Sequence, residues 1–161
     1  MKVKAIKASA MDDNVLIFQP VEGWTGGKLP GNDYMAQSKD QSAVFRLDTS
    51  SAVVTSLGCK EISTPLSMAP AKIKNVTEVA APKLTKVGKN GFAAKEGECA
   101  GEGPKGPVEI HFIDVARETQ GDVWHYAIMV SFPKDSADLK AEAQAWARSL
   151  EFTGRSGYKM E

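Results

Sequence analysis

The chain has 161 residues, enough for one domain with a real core. Hydrophobic residues make up 42% and charged residues 25%, and 20 basic residues balance 20 acidic ones. No net field therefore draws nucleic acid or an anionic membrane, and no apolar run approaches the roughly 20 residues a membrane helix needs.

Lys2, Lys4 and Lys7 open the chain without an apolar stretch behind them, so residues 1–13 do not read as a signal peptide. They read as a loose arm or an edge segment, with Met1 standing where a leader or lipoprotein signal was removed. Val15–Phe18 is a short apolar strand stopped by Pro20. Glu22-Gly23-Trp24 makes a turn with an aromatic anchor, and Leu29–Asp33 continues it irregularly. Tyr34–Gln37 and Ala43–Leu47 flank a polar Ser38–Ser42 loop, which predicts a hairpin. Ser50–Leu57 is ambiguous. Val53-Val54-Thr55 favour strand, while Thr49 or Ser50 can cap a short helix ended by Gly58, and the helix is the preferred reading.

Lys60–Pro70 reads as irregular, punctuated by Pro65 and Pro70. Ile73, Val76 and Val79-Ala80 then recur at offsets of 3, 6 and 7, predicting a modest helix that Pro82 ends. Leu84–Val87 and Phe92–Lys95 bracket Asn90-Gly91, the strongest short hairpin signal. Glu102–Pro107 is a Gly/Pro-rich turn before the strand Val108–Val115, and Arg117–Asp122 turns that strand back. The apolar set of Val108–Val115 changes parity after Phe112. Val108, Ile110 and Phe112 face the C-terminal helix, or Ile113 and Val115 do, or a bulge lets both. The first is preferred because it leaves Glu109 and His111 in water.

The block from Asp122 to Phe152 organises the rest. Trp124, Tyr126, Ile128, Val130 and Phe132 alternate, predicting a half-buried strand with one strongly apolar face. Pro133 ends its ladder, and Asp135 or Ser136 caps a helix with Asp138 in its first turn. Leu139, Ala143, Trp146, Ala147 and Leu150 form one helical stripe, which predicts a helix laid across the aromatic face. Residues 154–161 form a polar tail.

Cys59 and Cys99 are the two cysteines. They are either a disulfide of an exported protein or two buried thiols of a cytosolic one. Their polar, Gly-rich surroundings tilt the reading toward the disulfide. A redox pair would need closer spacing, and a metal site would need further ligands.

Glu22-Gly23-Trp24 after the first strand, the hairpin Val87–Phe92, and Gly121–Tyr126 leading through Val130-Ser131-Phe132-Pro133 to a helix ending Ser149–Phe152 occur together. In this the chain resembles the Mog1/PsbP-like superfamily, including small exported bacterial proteins related to DcrB. The resemblance spans residues 14–153 as a single domain. It implies an α+β fold, an antiparallel sheet flanked by helices in an α/β/α sandwich. It also implies a mostly non-enzymatic, cofactor-free protein, and it carries over no catalytic residue.

Chemistry is sparse. His125 and Asp114 can approach across a hairpin, as a His–Asp pair for a small hydrolase would, but Ser131 lies about 20 Å along the strand at 3.3 Å per residue. No metal set accompanies His111 and His125. Gly101–Gly106 lacks the ending of a phosphate loop, and Lys83, Lys86, Lys89 and Lys95 read as a solvated edge. Trp24 is a core anchor or the wall of a cleft near Gly26-Gly27. The expected function is a binding or accessory protein, not an enzyme, periplasmic or envelope-associated, with a cytoplasmic setting as the alternative. It would recognise another protein through the Trp24–Tyr34 and Gly101–Pro107 loops, with Trp24, Tyr34 and Lys105 as contacts. Such a protein would be a monomer or weak oligomer, without metal, cofactor or nucleic acid, and would touch a membrane only through a removed leader. A toxin-neutralising immunity protein fits the same features.

Overall fold

The computed structural model describes residues 4–6, 16–18, 21–29, 33–51, 58–68, 71–87, 91–119, 122–149 and 151–152. Seven strands form one antiparallel sheet. They are β3 (Thr25–Lys28), β4 (Tyr34–Gln37), β5 (Val44–Ser51), β6 (Lys74–Val87), β7 (Phe92–Gly103), β8 (Gly106–Thr119) and β9 (Asp122–Pro133), in the order β3-β4-β5-β9-β8-β7-β6. The helices α1 (Cys59–Ser67) and α2 (Ala137–Arg148) pack on the sheet. A small second sheet joins β1 (Lys4–Ile6), β2 (Leu16–Phe18) and β10 (Glu151–Phe152).

The helix α2 lies where the stripe of the sequence puts it. Ser136 caps it, its hydroxyl accepting from the Leu139 N–H at 3.4 Å. Trp146 is fully buried against Phe45, with ring centroids 4.2 Å apart, and packs in one cluster with Tyr126, Ile128, Val130 and Phe132. Leu150 and residues 154–161 lie outside the described residues.

The opposite face of β9 is buried as well, so the strand is not half-exposed. Ala127 and Met129 pack with Ile62 and Leu66 of α1. The same layer takes Val108, Ile110 and Phe112, while Ile113 and Val115 join the α2 layer. The preferred register for β8 is therefore corrected. Both apolar sets are used, on opposite faces, and the β8–β9 ladder runs unbroken from Val108↔Pro133 to Thr119↔Asp122. A strand covered on both sides needs no change of parity to bury both sets. On the neighbouring β7, Gly97 pairs with Phe112 and makes room for its ring, since a Cβ there would come within 2.5 Å of it.

Three local expectations are overturned. Ser50 and Ser51 continue β5, and Gly58 begins a helix rather than ending one, its N–H donating to Glu61 Oε2 at 2.9 Å. Residues 52–57 of the expected helix lie outside the described residues. The stretch after Cys59 is helical, because Cys59, Ile62 and Leu66 recur at helical spacing and bury one face, with Pro65 carried inside the last turn. The stretch after Ile73 is strand β6. Three register shifts break its period of two, so its apolar residues fall at offsets that mimic a helix. Pro82 sits at the third shift, on an edge strand where a missing N–H costs little.

Both expected hairpins form. Val87 pairs with Phe92, although residues 88–90 lie outside the described residues. The β4–β5 hairpin closes over Ser38–Ser42.

Candidate functional site

Antiparallel order brings the β4–β5 turn, the β7–β8 turn, the Trp24 turn and the β9–α2 junction to one end of the large sheet. The β4–β5 turn is the centre of this end and is braced from within. Asp40 accepts from the hydroxyls of Ser38 at 2.8 Å and Ser42 at 2.6 Å and from the Ser42 N–H at 3.0 Å. These donors favour the charged carboxylate, and with help from the nearby Lys105 charge they pull the Asp40 pKa down to about 2. Gln41 completes the turn at φ 62°, an uncommon left-handed conformation for a side-chain-bearing residue.

On one side of this turn lies a cavity of about 140 Å³. Val44, Ala71, Ile73 and Val108 form its apolar floor, and Gln37, Gln41, Ser42 and the Gly103–Pro107 turn form its rim. Among the described lining residues Lys105 alone carries a charge. Its ammonium donates to the Asp40 carbonyl, and the Lys134 N–H donates to the Pro107 carbonyl at 3.2 Å, so three of the loops are tied together. Gly106, at φ 122°, lines the same cavity, and Lys72, at φ 49°, falls in the chain between its lining residues Ala71 and Ile73. Unusual backbone of this kind concentrates at functional sites.

On the other side is a shallower cleft lined by Glu22, Trp24, Lys39, Asp40, Leu139 and Glu142. The Trp24 indole N–H donates to Glu142 Oε2 at 2.8 Å, and its ring sits 5.9 Å from Trp146. Trp24 is thus both core anchor and cleft wall. Tyr34, expected as a contact, is core. It lies in β4, 3% exposed, with its ring 6.1 Å from Trp146, and burial pushes its hydroxyl pKa above the usual value. Residues 30–32 between β3 and β4 lie outside the described residues. Trp24 and Tyr34 therefore meet through Trp146, while Lys105 belongs to the neighbouring cavity. Sequence reasoning missed Gln37, Gln41 and Ile73. Only the polar Ser38–Ser42 loop signalled that this turn would matter.

Cys59 and Cys99 form a disulfide with sulfurs 2.07 Å apart, joining α1 to β7. Asp114 and His125 do come together. His125 Nδ1 is 2.8 Å from Asp114 Oδ1, and both side chains are fully buried. His125 is enclosed because β9 is covered on this face too. Ser131 is buried six residues along β9 and lines the 140 Å³ cavity. No His/Cys/Asp/Glu cluster among the described residues could hold a metal ion.

No protein-family model matches the sequence, and no curated protein matches it. Solved structures do. LpqN, described as involved in cell envelope biogenesis of Mycobacterium tuberculosis, superposes with a TM-score of 0.59 at 11% identity, over 95% of this chain and 91% of that one. The chain thus shares an overall fold with LpqN, and that fold is the α+β antiparallel sheet flanked by helices that the sequence resemblance implies. A point mutant of Mog1 also matches, with a TM-score of 0.47 at 12% identity over 94% of this chain and 96% of that one. At these identities the likeness concerns fold alone, and the site must speak for itself.

Proposed function

We propose that the protein is a non-enzymatic binding or accessory protein of the cell envelope, and that it engages another protein through the loop end of its sheet. The observation that carries this reading is the braced β4–β5 turn, flanked by the Lys105 cavity and the Trp24 cleft. A rigid turn between two recesses is a pre-ordered surface, and pre-ordering lowers the entropy cost of association. The Cys59–Cys99 disulfide supports an oxidising compartment. The described role of LpqN in envelope biogenesis supports the same setting.

Photo-crosslinkers at the exposed Lys39 and Pro104 test it, with Leu84 on the β6 edge as the control. One partner protein is expected from both loop positions and not from Leu84. A partner reached from Leu84 alone would move the interface to the sheet edge.

A second reading keeps His125 and Asp114 as the pair of a small hydrolase, on the strength of their 2.8 Å contact. Their complete burial favours a structural role, because a general base must reach substrate. An ester and phosphoester screen of wild type against His125→Ala separates the two. Equal background in both ends the hydrolase reading.

A further inference from the structure

We infer that the Lys105 cavity recognises the carboxyl terminus of a partner chain, with the terminal apolar side chain on its floor and the terminal carboxylate at Lys105. This deepens the proposed function and rests on it.

The dimensions fix the side chain. A cavity of about 140 Å³ is close to the roughly 150 Å³ apolar cavity that holds one benzene. It suits a single Leu, Val or Phe side chain and is too small for a folded helix face. The floor residues Val44, Ala71, Ile73 and Val108 present hydrocarbon to it, so an apolar occupant gains by leaving water.

The charge fixes the other end. Lys105 is the charged residue among those described around the cavity, and no carboxylate joins it there. A Lys ammonium has three donors. One goes to the Asp40 carbonyl, which aims the group and leaves two for an incoming carboxylate. The Asp40 carboxylate feels the Lys105 charge, but its hydrogen bonds go to Ser38 and Ser42 rather than to the ammonium. Gln37, Gln41 and Ser42 line the rim as neutral donors and acceptors suited to the last peptide groups of an extended chain. A free terminus supplies an apolar side chain and a carboxylate on the same carbon, which an internal residue does not. Capture of a terminal carboxylate is a recurring recognition mode.

An NMR titration of the full chain with a Gly/Ser-rich decapeptide ending in Leu tests this. The free acid should shift the amides of Gln41, Ile73 and Lys105. The amidated peptide, and one ending in Asp, should bind at least tenfold more weakly. Lys105→Ala should reduce the free acid to the affinity of the amide without changing the melting temperature. Equal binding of acid and amide, or no binding of either, overturns the inference. A partner that still crosslinks from Lys39 and Pro104 after losing its last three residues also overturns it, while leaving the proposed docking end in place.

Discussion

The two faces of the large sheet are sealed by different means. The α2 face is closed by packing, with Trp146, Phe45, Tyr34 and Tyr126 forming an aromatic cluster under a capped helix. The α1 face is closed by a nine-residue helix with Pro65 in its last turn, smaller side chains, and the Cys59–Cys99 bond. A short helix in water is marginal, so α1 depends on its tether far more than α2 depends on any one cap. The contrast shows how a fold can put its strongest core under one helix and staple the other. It also places the 140 Å³ cavity on the stapled face. Val44, Ala71, Ile73 and Val108 of its lining all belong to the α1 layer, and its Ala71–Ile73 wall follows the stapled helix directly.

The comparison breaks most sharply at Trp146. Replacing it with Ala should cost about 3–5 kcal/mol, the usual range for a fully buried large aromatic, read by urea denaturation. A loss below about 1 kcal/mol would move the weight of the core elsewhere. Next comes the disulfide. Paired Cys59→Ser and Cys99→Ser substitutions should cost about 2–4 kcal/mol, since the bond closes a sequence separation of 40 residues. A double variant as stable as wild type would mean that α1 is held by packing after all. Ser136→Ala should cost about 1 kcal/mol by removing the α2 cap. An unchanged denaturation midpoint would show that α2 needs no capping once Trp146 is seated.

The smallest effect is the titration of Asp40. Its folded pKa of about 2 lies below the ordinary 3.8. Its stabilising contribution is therefore present above the unfolded value and is lost as pH falls from about 4 through about 2. Asp40 is exposed, so the contribution should stay within the roughly 0–1 kcal/mol of surface charges. Side-chain carboxyl NMR reads the midpoint directly, and an ordinary value would mean that the turn is not braced in solution.

The same contrast decides what the sequence could disclose. The α2 face was legible because Leu139, Ala143 and Trp146 keep a clean helical period and β9 a clean period of two. On the α1 side the signals cancel. Pro65 and Gly58 look like breakers, yet Gly58 starts the helix and Pro65 is tolerated near its end. Ile62 and Leu66, spaced with Cys59, carried the helix signal. The bulges of β6 scramble its alternation, so Val76 and Val79 imitated a helix. Of the site, Trp24 and Lys105 were visible as turn residues, and Tyr34 was placed in its strand but taken for a contact although it is core. The cavity itself was not visible. Its floor gathers Val44, Ile73 and Val108 from three strand ends whose adjacency follows only from the sheet order.

Hydrogen exchange with the disulfide intact and reduced tests the two-halves account most directly, because local openings report each region separately. Reduction should raise exchange in Cys59–Ser67, Ala71–Ile73 and the Gly103–Pro107 rim while the amides of β5, β9 and α2 stay protected. Uniform loss of protection across both helices, or no change in α1, would contradict it.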